Sequence, residues 1–232
     1  MQNGGKLLKK KLSVLLVIVL VLATVLSGCG GNDSTELKMA TGGTGGTYYG
    51  YSGIIAQALA DVVTITPEST GASMQNVQYL QTGESQIAII QNDVMSYAYT
   101  GTDLWAASNA EAYTDFSAVM ACYPETVQII AKKDITSIDQ LKGKKGSVGD
   151  AGSGVEFNAT KVLAAYGMDI NSDIVKNNQS FADSADSIKN GTIDAAFVVA
   201  GAPTTAVQEL ATTYDFNVLS IDKEHADKLM EQ

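Results

Sequence analysis

Along this chain, short apolar runs alternate with longer stretches in which apolar residues recur every three or four positions. "LKMA" (Leu37–Ala40) reads as a strand and runs into the glycine- and threonine-rich "TGGTGGTYYG" (Thr41–Gly50). "YGYSGIIAQALAD" has helical spacing, with Ile54, Ile55, Ala58 and Leu59 on one face. "VVTIT" predicts a strand stopped by Pro67, "STGAS" a turn and cap, and "MQNVQYLQTG" a helix with Gly83 just past its end. "QIAII" has the unbroken apolar pattern of a buried strand and ends in "QND". After another helical stretch, "FSAVMACYPETVQIIAKK" predicts two strands divided at Pro124. "SIDQLKG" gives a short capped helix, "KKGSVG" a strand, "DAGSG" a second glycine loop, and "VEFNATKVLAAYG" a helix closed by Gly167. "DSADSIKNG" and "TIDAAFVVAG" repeat the order helix, glycine, strand. "PTTAVQELAT" opens a helix with Pro203 near its first position, "FNVLSI" is a last strand, and "DKEHADK" is a solvated helix face. Alternating βα units predict an α/β fold of mostly parallel sheets with helices on both faces.

Two landmarks recur at one offset. Gly46 and Gly154 close the two glycine loops and lie 108 residues apart. Gly83 and Gly191, each ending a helix before a buried strand, are also 108 apart, and Leu80 and Ala88 match Ile188 and Ala196. The expectation is two lobes on one βαβ plan, 37–125 and 126–219, with 220–232 turning back toward the first.

The first 28 residues read as a leader. Lys6, Lys9, Lys10 and Lys11 precede fifteen apolar or small residues, Leu12 to Leu26, a run shorter than a membrane-spanning helix needs. "LSGC" (Leu26–Cys29) resembles a bacterial lipobox, which predicts cleavage before Cys29, lipidation of its thiol, a tether over 29–36, and an exported protein anchored at the outer face of the cytoplasmic membrane. With the four leader lysines gone, the remaining 204 residues carry a net charge of −14 instead of −10. That surface argues against nucleic acid. A lipidated Cys29 leaves only Cys122, so no intrachain disulfide is expected. With one histidine, His225, a zinc site and a histidine-based triad are not expected. The chain has no arginine, so no bidentate clamp on a carboxylate is available.

Each glycine loop joins a strand to a helix, where open α/β sheets bind ligands and a helix N-terminus offers free N–H groups. The first loop lacks the lysine of a P-loop, and Tyr48 stands where a dinucleotide loop has its third glycine. Glu68, at the end of the next strand, is where a ribose-binding acid would sit, so a Rossmann-like exported enzyme is one alternative. A lipoprotein without a ligand is another.

"GTGGTYYGYSG", "STGAS" followed by "QND", "LKGKKGSVGDAGSG", "GTIDAAF" and "GAP" occur in this order over Leu37 to about Asp222. Together they resemble the TAXI family, the solute-binding proteins of tripartite ATP-independent periplasmic (TRAP) transporters. The resemblance implies a two-lobed type II periplasmic-binding-protein fold that closes on a small acid or amino acid, glutamate, glutamine or a dicarboxylate such as 2-oxoglutarate. It implies delivery to TRAP membrane permease subunits driven by an ion gradient, with no cofactor, no metal and no catalysis, by a monomer. This chain departs in having Gly50 where proline is common, in Gly146 where a larger apolar residue is expected, and in stopping at Gln232, which suggests a fragment.

Carried onto this sequence, Gly43, Thr44, Gly45, Gly46 and Thr47 are expected to offer donors to one end of the ligand, with Tyr48 as an aromatic wall or a packing residue. Gln91 and Asp93 suit an amide or ammonium group, Asp93 alternatively capping a helix. Ser153 and Gly154 are expected to cap the ligand from the second lobe, and Gly201 and Pro203 to complete the wall. Trp105 and Cys122 are expected in cores. Tyr97 and Tyr99 cannot share a helix face.

Overall fold

The computed structural model describes residues 36–108 and 110–231, so the leader, Cys29 and most of the tether lie outside the described residues. Glu36–Ala40 (β1) is flanked in parallel by Thr64–Glu68 (β2) and by the two-residue Ile87–Ala88 (β3), giving a sheet of order β2-β1-β3. Thr47–Ala58 (α1) and Ser73–Thr82 (α2) connect these strands, and Asn92–Thr100 (α3) and Asp103–Ala107 (α4) follow. Pro67 does not stop β2: it lies within the strand, opposite Met39. β2 is an edge strand, where a residue without an N–H costs no ladder bond.

The second sheet has the order β6-β5-β7-β4-β8, from Thr126–Lys132 (β4), Lys145–Ser147 (β5), Val175–Asn177 (β6), Ala195–Ala200 (β7) and Phe216–Leu219 (β8). β5 runs parallel to β6 and β7, but β4 runs antiparallel to β7 and β8, so the sheet is mixed. Gly154–Ala165 (α5), Phe181–Lys189 (α6), Thr205–Thr213 (α7) and Lys223–Met230 (α8) complete the chain, with a 3-10 turn at Ile138–Leu141 closed by a capping box of Ser137 and Gln140.

The strand period of two explains how the second sheet is covered. Ile129, Ala195, Phe197 and Val199 enter one core with Val155, Val162 and Leu163 of α5. Ile130 and Ala196 face the other way, into a core with Ala185 and Ile188 of α6 and Leu210 of α7. Every residue of β7 is buried, as the unbroken apolar run requires. Gly146 leaves room filled by the δ-methyl of Ile174, 3.7 Å from where a Cβ would stand.

Several local expectations need correction. The buried side of α1 carries Tyr48 and Ser52, with Tyr51 and Ile55 packed beside them, while Ile54 and Leu59 are exposed. Aromatic burial outweighs the aliphatic stripe here. Of the two strands expected around Pro124, only β4 forms; Val119 and Met120 are exposed. Pro203 lies before the N-cap Thr204 of α7 rather than at its first position. Cys122 is half-buried, not a core residue, whereas Trp105 is 1% exposed and donates its indole N–H to the Glu111 carbonyl at 2.7 Å. The "DKEHADK" helix is not wholly solvated. His225 stacks on Tyr166 of the turn after α5, ring centroids 3.6 Å apart, so α8 lies against α5.

Candidate functional site

The loop after β1 is held by side chains outside it. Asn76, fully buried on α2, donates its amide to the carbonyls of Thr41 and Ile89, tying the loop to the segment after β3. The Thr41 hydroxyl donates to the Glu68 carbonyl at 2.7 Å. Glu68 pairs with Lys38 at 3.0 Å and accepts from Ser85, contacts that hold its carboxyl below the usual range. Its carboxylate is thus engaged at the edge of the first sheet.

None of the glycines in the first loop has a positive φ. Their use is close approach. A Cβ on Gly45 would stand 3.3 Å from the Ala206 Cβ and 3.4 Å from the Ala182 Cβ, and one on Gly43 3.5 Å from the Ser180 Cβ. The loop therefore packs on the starts of α6 and α7, and the Gly45 carbonyl accepts from the Ala206 N–H at 3.2 Å. The second loop is different: Gly149 and Gly152 have φ of 85° and 73°, a left-handed geometry that L side chains rarely adopt.

Between the two sheets lies a small cavity of about 40 Å³, lined by the starts of five helices. The caps Gly46 (α1), Ala72 (α2), Gln91 (α3) and Ser153 (α5) line it with Phe181, the first residue of α6. Helix starts leave N–H groups unpaired and carry partial positive charge. Ser153 caps α5, accepting from the Glu156 N–H at 3.2 Å. Ala72 has φ 69°, and the Thr70 hydroxyl accepts from its N–H at 3.1 Å. Val199 and Ala200, at the end of β7, form part of the floor.

Of the residues singled out in the sequence, Gly43, Gly46, Thr47, Tyr48, Gln91 and Ser153 line this cavity. The others have different surroundings. Thr44 is exposed, and Gly45 faces Ala182 and Ala206. Gly154 lies against the Gln91 side chain, which would occupy the position of any added Cβ. Asp93 accepts from the Val94 N–H at 2.7 Å in the first turn of α3. Gly201 accepts from the Thr47 hydroxyl, and Pro203 is exposed.

The sequence reading missed two acids. Glu125, immediately before β4, and Asp150, in the second glycine loop, both line the cavity. Burial pushes the Glu125 carboxyl up to about 7, with the Asp93 charge adding to the rise and Tyr48 opposing it by a hydrogen bond. Burial also raises Asp150, with Asp183 adding. Tyr48, 9% exposed, is raised well above its ordinary value by burial and then by Glu125. Beside it, the Tyr123 ring packs on Tyr48 and Tyr51, its hydroxyl buried without a partner among the described residues. The signal for Glu125 was its position after Pro124, where the chain crosses between sheets.

Comparison with known proteins decides the family. Residues 39–232 match the model of the NMT1-like family. The chain belongs to the NMT1-like family. Among solved structures, a protein of Bordetella bronchiseptica RB50 superposes with a TM-score of 0.58 at 15% identity, over 84% of this chain and 60% of that one. A binding protein component of an ABC phosphonate transporter from Pseudomonas aeruginosa gives 0.53 at 14% identity, over 86% and 74%. A putative L-cystine ABC transporter protein from Listeria monocytogenes gives 0.52 at 15%, over 84% and 89%. The chain thus spans about three fifths of the length of the first of these. The fold of this NMT1-like chain is that of type II periplasmic binding proteins, mixed α/β with parallel-rich sheets.

Proposed function

We propose that this NMT1-like chain is an extracytoplasmic solute-binding protein that captures a small acid or amino acid between two lobes, 37–125 and 126–219, and hands it to a membrane permease without catalysis. The observation that carries this is the cavity between the two sheets, lined by the starts of five helices. Backbone N–H groups hold a carboxylate without arginine, each charge-assisted bond contributing about 1.5–3 kcal/mol. Similarity to binding proteins of transporters supports the same reading.

The ordered motifs that resemble TAXI proteins support a TRAP permease as the partner, and the lipobox supports a lipid anchor at Cys29. The named neighbours favour a second reading, an ABC importer. Uptake of labelled solute distinguishes the two: a TRAP partner loses transport when the ion gradient is collapsed with ATP kept high, whereas an ABC partner does not. Solute capture is tested by unfolding the full chain in detergent against amino acids and carboxylic acids, followed by intrinsic fluorescence. A ligand at 100 times its Kd raises stability by about 2.7 kcal/mol. Unfolding unmoved by every compound would refute the reading.

A further inference from the structure

A second hollow lies against the cavity between the sheets. It measures about 440 Å³ and is walled by Met74 and Gln78 of α2, Leu104 and Ala107 of α4, and Ala151 of the second glycine loop. The inner cavity, at about 40 Å³, holds only a few water molecules, each needing roughly 10–15 Å³. The outer hollow has the size of a small-molecule pocket, about 300–1,000 Å³. The wall between them consists of two segments whose adjacent residues line its opposite sides. Gly71 lines the outer hollow and Ala72 the inner cavity; Ala151 and Gly152 line the outer, Asp150 and Ser153 the inner. The segments touch. A Cβ on Gly71 would stand 3.9 Å from the Asp150 Cβ, and one on Gly152 would stand 3.9 Å from the Met74 Cβ.

This contact differs from the one made by the first glycine loop. There the Thr47 hydroxyl donates to the Gly201 carbonyl and the Ala206 N–H to the Gly45 carbonyl, so hydrogen bonds tie that loop to the second sheet and α7. Across the wall no hydrogen bond passes among the described residues: Thr70, Gly71, Ala72, Gly152 and Ser153 all bond on their own side. Ala72 also has φ 69° and ψ −150°, a geometry that residues other than glycine hold only under strain, and such strain collects at switch points. Building on the solute-binding reading above, we infer that the outer hollow is the entrance by which solute reaches the inner cavity, and that the contact of Gly71 and Met74 with Asp150 and Gly152 is its gate. Parting the two segments joins the hollows into one space large enough for a small acid or amino acid. The first loop, bonded to the second sheet, is the side about which they part.

The test uses iodoacetamide as the entering molecule and a cysteine on the floor of the inner cavity as the reporter. Val199 is 6% exposed and lines that cavity. The full chain with Val199→Cys and Cys122→Ser, in detergent, is alkylated at neutral pH, and mass spectrometry of the peptide carrying residue 199 gives the rate. Ala107→Trp and Gln78→Trp, each added separately, put an indole into the outer hollow without touching the inner cavity. The expected result is alkylation slowed tenfold or more by each. Loss of fold cannot imitate this, because an unfolded chain exposes residue 199 and labels faster. Alkylation unchanged by both tryptophans would overturn the entrance, and so would a reporter that never labels in the native chain. The assay needs no solute, so the two readings fail separately. Slowed alkylation beside an empty solute screen keeps the entrance and refutes solute capture; unchanged alkylation beside a bound solute does the reverse.

Discussion

The hydroxyl of Thr47, in the first turn of α1, donates to the carbonyl oxygen of Gly201 at the end of β7, 3.1 Å away. This bond joins the start of α1 to the residue that follows β7, and so ties the first glycine loop to the second sheet. Thr47→Ala is expected to destabilise that arrangement by about 1 kcal/mol, the usual net worth of such a bond. The outcome is roughly fivefold weaker solute binding, mostly through faster release in stopped-flow fluorescence, with Thr47→Ser near wild type. An unchanged release rate would show that the hydroxyl is incidental.

Gly45 makes a close backbone approach to the second sheet's helices, with Ala206 and Ala182 at 3.3 and 3.4 Å from a notional Cβ. Gly45→Val is expected to wedge the loop away from α6 and α7 and weaken solute binding at least tenfold, about 1.4 kcal/mol. Gly45→Ala should lie between, because one methyl needs only tenths of an ångström. Secondary structure by circular dichroism should match wild type in both, since Gly45 belongs to no helix or strand.

Glu125 gives a pH dependence with a definite sign. Its folded-state value of about 7 lies above the ordinary value of 4.5, so the folded state binds the proton more tightly. The stabilisation is full below pH 4.5 and is lost as pH rises through 7. The groups acting on it are Tyr48, Asp93 and Tyr123, with Asp150 lining the same cavity. Glu125→Gln is therefore expected to stabilise the solute-free protein by about 1–3 kcal/mol at pH 8 and to change little at pH 4.5. Urea midpoints at the two pH values check it; a variant destabilised at pH 8 would contradict the assignment.

Asn76 supports the first loop from beneath through two carbonyls. Asn76→Ala leaves the Thr41 and Ile89 carbonyls without this donor in a buried site and is expected to cost about 2–3 kcal/mol in denaturant unfolding. Solute affinity should fall with it, because the loop that caps α1 loses its anchor.

Periodicity alone yielded most of the elements, because it reflects local chemistry: the unbroken buried run of β7, left-handed helix ends at Gly83 and Gly191, and a glycine loop before α1 and before α5. It failed where the deciding partner was distant in sequence. Pro67 sits in a strand because β2 happens to be an edge, and the antiparallel direction of β4 depends on how the chain returns to β7 and β8. Within the site, composition established that no arginine was available, and glycine-rich loops before helices marked part of the cavity wall. That Gly45 meets Ala206, that Gln91 lies on Gly154, and that Glu125 and Asp150 share one cavity were decided by packing between segments up to about 160 residues apart. No local pattern encodes such a meeting, since burial and charge environment exist only once the two sheets face each other.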